Sequence, residues 1–554
     1  MRWILVFIVI LTCCSGTGAE VLLTEFCPDP YLHDDADEYI VLSGDGSLDG
    51  IAISDGKGGF SFSPGSQIRG ALTVARSGKA FFQSHGRYPD YEWRDTTGSV
   101  PDVISGDTLR LANSHDMILV YRNAILIQNV SWPGDVQPRE GQIHYFQDGV
   151  WDPRPLMLGQ SRFAPAEFTD AAVSTFVSPD SSLQAFTAAV RSANREILLN
   201  IYEFASPEIV ESLALARGRN VTITVLIEGG PVGGITREEK AALYSLNQSG
   251  IPVYTMAPSK GEHAPFRYDH AKYLVIDRQR VLITSENFKA SGFPLPGSSG
   301  NRGWGVIIDE AGFAGYFASV FMADLHDASV KPWYGMPGDF EVPSSQKHRP
   351  EFYPESFSGA TVRPVIAPDT SSEILELINS AKSTIEIEQA YITNESDTAL
   401  NPYLAAAINA SRRGVHVRVL LDSYWYNTED PSDNNEMTTL INTIAQREHL
   451  PLEARLADLT TNELEKIHNK GVIVDDRRVL VSSINWNHNS PNFNREAGVI
   501  IGHPGAARYF RTVFDDDWNA AIKSPGVPVD HIKIIILMGV IVILLLVYYR
   551  RHMR

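Results

Sequence analysis

His270, Lys272, Asp277, Ser285 and Asn287 recur, in the same order and at the same spacing, as His468, Lys470, Asp475, Ser483 and Asn485. An imidazole titrates near neutrality, so it serves as a nucleophile or a proton carrier at physiological pH. A lysine beside it brings fixed positive charge and an asparagine amide brings donors, a combination suited to the non-bridging oxygens of a phosphate. Two such sets facing one another put a histidine on each side of a single phosphorus, as in-line displacement requires. A metal centre fits poorly, because Lys272 and Lys470 would hold a cation two residues from each proposed histidine ligand.

The elements that must position these residues follow from the same spacing. The apolar runs Tyr273-Leu274-Val275-Ile276 and Gly471-Val472-Ile473-Val474 end at Asp277 and Asp475. Second runs, Arg280 to Ile283 and Arg478 to Val481, begin after a two-residue turn, which predicts a hairpin in each copy. Side chains two apart on a strand share a face, so each histidine is expected beside its lysine, and the return strand brings Ser285 or Ser483 and Asn287 or Asn485 back toward it. Asp277 and Asp475 sit at the far end, roughly 17 Å away at about 3.3 Å per residue, and are expected to be structural. The duplication runs on: Asn301-Arg302 answers Asn494-Arg495, and Gly312, Tyr316-Phe317, Val320-Phe321 and Asp324 answer Gly505, Tyr509-Phe510, Val513-Phe514 and Asp517. Upstream, Ser178-Pro179-Asp180 and the strand Ile197 to Phe204 answer Ala367-Pro368-Asp369 and the strand Ile385 to Ile392.

H-x-K-x4-D followed by S-x-N, written twice across about residues 173–520, resembles the phospholipase D superfamily of phosphodiesterases. The resemblance implies an α/β catalytic unit of two repeats, each a mixed sheet flanked by helices, joined about a pseudo-twofold axis with one site between them. It implies that one histidine attacks phosphorus to form a phosphohistidine while the other protonates the leaving group, then activates water or an alcohol, with no metal or other cofactor. The expected catalytic set is His270, Lys272, Asn287, His468, Lys470, Asn485 and Glu496, with Ser285 and Ser483 in support. The family pattern places a Glu after the downstream Asn; Asn494-Arg495-Glu496 keeps it and Asn301-Arg302-Gly303 does not. A carboxylate on an imidazole favours its charged form. If Glu496 reaches His468, His468 is the general acid and His270 the nucleophile. The missing Glu leaves His270 without a nameable support and is the basis for the alternative, an inactive adhesion or binding protein with a phospholipase D-like core. Substrate is open between nucleic acid and phospholipid.

The remainder of the chain sets the context. Arg2, the apolar run Ile4 to Leu11 and Gly16-Thr17-Gly18-Ala19 predict a signal peptide over 1–19. Residues 532–549 predict a membrane-spanning helix, about 27 Å long at 1.5 Å per residue, and the Arg-rich tail 550–554 places the C-terminus in the cytoplasm and the catalytic unit outside it. Between them lie an N-terminal β-sandwich (20–150), a linker (151–172), repeat 1 (173–330), a second linker (331–359), repeat 2 (360–521) and a stalk (522–531). The sandwich rests on short, regularly spaced strand-like runs. Asp37-Glu38-Tyr39-Ile40-Val41-Leu42 and Ile53-Ser54-Asp55-Gly56 within it resemble the immunoglobulin-like lamin-tail domain. Cys27 is the single cysteine beyond the expected leader, so no intrachain disulfide is expected. A formal net charge of -19 repels polyanions at long range, so a nucleic acid would have to be gripped locally.

Overall fold

A computed structural model of the protein describes residues 20–104, 109–147, 149–152, 154–259, 263–340, 347–396, 398–428 and 433–523. The expected leader (1–19), most of the expected stalk, the expected membrane helix (532–549) and the expected tail (550–554) lie outside the described residues. Among the described residues no helix is long and apolar enough to cross a membrane. The chain divides into two compact units between Gln160 and Ser161.

In the first unit two β-sheets share one apolar core. Leu22–Cys27, Tyr39–Ser47, Gln67–Ala75 and Gln142–Gln147 belong to one sheet, and Ile51–Ser54, Gly59–Ser61, Asp116–Arg122 and Ile125–Trp132 to the other. Phe26, Ile40, Leu42 and Val74 of the first meet Ile51, Ile53, Val120 and Val130 of the second. Alternate residues of Ile51–Ser54 are buried, as a strand with one dry face requires. The helix Gly78–His85 was not foreseen. Ser77 caps it by accepting from Ala80 N, and Gly86 ends it in the left-handed region at φ 67°.

The second unit carries both repeats. Repeat 1 contributes β1 (Phe168–Ser178), β2 (Glu196–Ile201), β3 (Thr222–Glu228), β4 (Val253–Met256), β5 (Lys272–Ile276), β6 (Arg280–Thr284), β7 (Gly303–Asp309) and β8 (Val330–Pro332). Repeat 2 contributes β9 (Glu355–Ala367), β10 (Thr384–Gln389), β11 (His416–Leu421), β12 (Leu452–Leu456), β13 (Lys470–Val474), β14 (Arg478–Ser482), β15 (Glu496–Gly502) and β16 (Ile522–Lys523). They form one 16-stranded sheet in the order β8-β4-β3-β2-β5-β6-β7-β1-β9-β15-β14-β13-β10-β11-β12-β16. Each strand of repeat 1 stands as far from the centre as its counterpart in repeat 2, which is the topological mark of a pseudo-twofold axis between β1 and β9. The mixed sheet expected for each repeat is present: β2, β3 and β4 run parallel while β5, β6 and β7 run antiparallel.

Local sequence explains the pieces that aim the site. The parallel strands need helical crossovers. Pro207–Gly218 and Arg237–Gln248 supply them, capped by Ser206 and Thr236. The hairpins β5-β6 and β13-β14 turn through Asp277-Arg278 and Asp475-Asp476, all four at positive φ, as two-residue hairpin turns demand. β1 and β9 begin inside segments expected as linkers, because each pairs with the other along its exposed half and gains its partner only when the repeats dock.

The halves also pack across the axis. The Trp304 ring of β7 lies on Gly471 of β13 and stacks on Phe510 of the long helix Pro504–Ala520, with centroids 4.8 Å apart. By the duplication Gly471 answers Tyr273, so the space that Tyr273 fills within repeat 1 is filled in repeat 2 by a tryptophan from across the axis. A Cβ on Gly471 would stand 2.4 Å from the indole. Gly471→Ala is therefore expected to destabilise the second unit by about 1–3 kcal/mol through overpacking. Chemical denaturation of that variant against the parent chain measures it, and an unchanged midpoint would refute the close fit.

Candidate active site

The two histidines are delivered by a reciprocal backbone exchange. His270 N donates to the carbonyl of Arg495 at 2.8 Å, and His468 N donates to the carbonyl of Arg302 at 2.9 Å. Each arginine thus holds the other repeat's histidine by its main chain while its side chain locks the interface. Arg302 reaches Asp180 of its own repeat and Asp517 of the other, both at 2.8 Å. Arg495 reaches Asp369 of its own repeat at 2.8 Å and Asp324 of the other at 2.7 Å. All the side chains of these four ion pairs are buried. Sequence reasoning paired Arg302 with Arg495 but gave neither a role.

The lysines are fully buried, and each Nζ donates to the carbonyl of the histidine two residues before it, at 2.7 Å for Lys272 and 2.6 Å for Lys470. Burial pushes the Lys272 ammonium down to about 8, against several surrounding carboxylates, and lowers Lys470 well below its ordinary value. Each lysine's charge is felt by the histidine of the opposite repeat as well as by its own. The histidine side chains keep 12% and 15% of their surface exposed, so a substrate can reach them.

Glu496 stands elsewhere than expected. Its Oε2 lies 2.8 Å from Nδ1 of His270 rather than beside His468. Ser483 donates to the same oxygen at 2.6 Å, while Ser490 and Asn494 donate to Oε1, so the carboxylate is fixed at both ends. Burial works against its charge, but His270, Lys272 and Ser483 hold its pKa below the usual carboxylate value. Burial likewise lowers the His270 imidazole, with Glu496 opposing. The contact crosses the axis because β15 sits beside the entry to β5, an adjacency that exists only once the repeats dock.

His468 has a carboxylate that sequence reasoning missed. Oε1 of Glu286 lies 3.3 Å from His468 Nδ1, and neither atom hydrogen-bonds elsewhere among the described residues. Glu286 Oε2 accepts from Asn301 at 2.9 Å. Burial raises this carboxyl to about 7, against Lys470, Asn301, Lys466 and Lys272. The available signal was a pair of exchanges in the duplicated pattern: Ser285-Glu286-Asn287 faces Ser483-Ile484-Asn485, and Gly303 faces Glu496.

The remaining expected residues divide. Asp277 accepts the backbone N–H groups of Asn194, Arg195 and Glu196, and Asp475 those of Lys382, Ser383 and Thr384, so both tie the hairpin tip to the start of β2 or β10, far from the imidazoles. Ser285 accepts from Trp304 N at 3.2 Å and, among the described residues, does not reach a carboxylate, whereas Ser483 donates to Glu496. The Asn287 amide, expected to face phosphate, donates instead to Glu203 at 2.5 Å. In repeat 2 Tyr391 stands at the position of Glu203 and accepts from Asn487 at 2.8 Å, leaving the Asn485 side chain out of that contact. Tyr202, also unforeseen, sets its ring edge to face with His270 at 4.6 Å between centroids, where repeat 2 has Ala390.

Residues 186–325 and 374–518 match the family model described as cardiolipin synthase, phospholipase D-like domain. The mitochondrial cardiolipin hydrolase of Chlamydomonas reinhardtii is 27% identical over 154 residues, which are 27% of this chain and 59% of that protein, so the chain spans less than two thirds of this relative. Among solved structures, Nuc of Salmonella typhimurium, a phospholipase D family member, is 23% identical over 30% of this chain and 100% of its own, with a TM-score of 0.26. The phosphatidylserine synthase of Haemophilus influenzae Rd KW20 is 14% identical over 63% of this chain and 87% of its own, with a TM-score of 0.48.

Proposed function

We propose that this chain, which belongs to the phospholipase D-like domain family, is a membrane-anchored, extracytoplasmic phosphodiesterase that works through a phosphohistidine. The observation that carries the reading is the reciprocal delivery of two accessible imidazoles, each with its Nδ1 turned to a buried carboxylate. That leaves both Nε2 atoms for chemistry.

Roles follow from the carboxylates. Glu496 is ionised and tightly bound to His270, which opposes the lowering that burial imposes on that imidazole and leaves it the better proton holder of the two. Glu286, a weaker anion because burial raises its carboxyl, stands farther from His468, whose imidazole is lowered well below its ordinary value by burial first and then by Lys470, Lys466, Lys272 and His270. So His468 is the nucleophile and His270 the general acid, the reverse of the order expected when Glu496 was assigned to His468. The His468 Nε2 lone pair forms the N–P bond as the P–O bond to the leaving group breaks, and His270 gives that oxygen its proton. Water, or an alcohol in a transfer reaction, then loses its proton to His270 and attacks phosphorus, and the N–P bond breaks. Lys272 and Lys470 supply positive charge across the reaction.

The substrate class we favour is phospholipid. The family description and the hydrolase relative both name cardiolipin, and the apolar run 532–549 would hold the site near lipid. Nucleic acid is the second reading, since two imidazoles flanking a phosphorus suit any phosphodiester. The full-length chain, given labelled phosphatidylglycerol vesicles, single-stranded DNA and RNA in EDTA, is expected to release label from the vesicles. Release from DNA or RNA alone would replace the lipid reading. Identical behaviour of the parent and the double variant His270→Ala/His468→Ala on every substrate would favour the adhesion alternative.

A further inference from the structure

We propose that Glu286 is the positioning carboxylate of His468, installed at a different chain position from its counterpart Glu496 and made possible by Gly303. The role in turnover rests on the phosphodiesterase reading above; the placement does not.

Three observations converge on it. Asn301 and Asn494 are equivalent in the duplication, and each donates its side-chain amide to a buried carboxylate, Asn301 to Glu286 at 2.9 Å and Asn494 to Glu496 at 3.1 Å. The two carboxylates therefore occupy equivalent places although one stands on the turn after β6 and the other opens β15. Each then faces the histidine of the opposite repeat through Nδ1. Finally, the residue at the expected position is glycine for a steric reason: a Cβ on Gly303 would lie 2.3 Å from Oε1 of Glu286. Glu286 fills the volume that a longer side chain on Gly303 would have used. In repeat 2 the exchange is undone, with Ile484 at the first position and Glu496 at the second. The carboxylate missing at Gly303 has thus been relocated, and its absence there no longer argues for an inactive core.

The charged groups around His468 are Lys470, Lys466, Lys272 and His270, all opposing its protonation. Glu286 is the carboxylate in contact with the ring. Removing it takes away the carboxylate in contact with the ring, which lowers the ring's affinity for a proton further and frees it to turn. The effect should be confined to one histidine.

The test uses the full-length chain with ring-labelled histidine, followed by NMR titration, together with turnover of bis(p-nitrophenyl) phosphate. Glu286→Gln is expected to move the His468 titration downward by about one unit, a tenfold change in proton affinity, while leaving His270 in place. Glu496→Gln should do the converse. In turnover, Glu286→Gln should lower kcat by about 10- to 100-fold with KM little changed. Glu286→Ile/Gly303→Glu, which writes the repeat 2 arrangement into repeat 1, should recover much of the rate lost in Glu286→Ile. An unmoved His468 titration in Glu286→Gln, or equal movement of both histidines, overturns the placement whatever the activity. If the titration moves as expected but parent and His468→Ala are equally inert toward phosphodiesters, the placement stands and the enzymatic reading fails.

Discussion

Alanine at position 468 is expected to stop turnover of every phosphodiester, by about 10⁴-fold or more, because it removes the atom that forms the bond to phosphorus. Alanine at position 270 should behave differently. It removes the proton donor, so an alkyl diester, whose leaving oxygen needs protonation, should lose about 10²- to 10⁴-fold, while an activated aryl diester loses far less in its first step. The second step still needs His270 to deprotonate water, so the His270→Ala chain mixed with bis(p-nitrophenyl) phosphate should accumulate a covalent aryl-phosphoryl adduct on His468. Intact-mass analysis followed by peptide mapping reads it directly. An adduct on His270 in the His468→Ala chain, with none in the converse variant, would restore the opposite order of roles.

The largest effect on stability is expected at the buried arginines. Arg495→Met leaves Asp324 and Asp369 without their cation in a fully buried place, which should cost about 3–5 kcal/mol. Burial already raises Asp324 to about 6 in the presence of Arg495. The variant should therefore be least unstable in acid, where Asp324 can take a proton, and lose stability as pH rises through the raised Asp324 value. Arg495→Met/Asp324→Asn should recover part of the loss. Melting curves at pH 5 and pH 8 decide the matter, and equal melting of parent and Arg495→Met at pH 8 would remove the arginine from the interface argument.

Much of this fold was legible because its signals are local. The hairpins declared themselves through two apolar runs and a two-residue turn, and the duplication gave both halves at once. Separation along the strand sufficed to set Asp277 apart from His270, and the backbone N–H groups it accepts show what it does instead. What escaped was everything decided by docking. Glu496 stands 226 positions from His270 and meets it only when β15 comes beside the entry to β5. Glu286 sits at the position that S-x-N treats as free, so its charge carried no meaning until Gly303 was seen to make room for it. The sequence at the starts of β1 and β9 reads as linker because each strand is half exposed until it pairs with the other. The helix Gly78–His85 is a single short insertion with no periodic companion.

The relocated carboxylate also bears on why such a unit is worth encoding as one chain. Two identical subunits related by a true dyad would have to present identical imidazoles, and any mutation that sharpened one as attacker would sharpen the other equally. Fusion breaks that constraint: a tyrosine can lean on one ring while alanine holds the equivalent position in the other copy, a glutamate can migrate within a single copy, and specialisation of the paired bases becomes open to selection one side at a time.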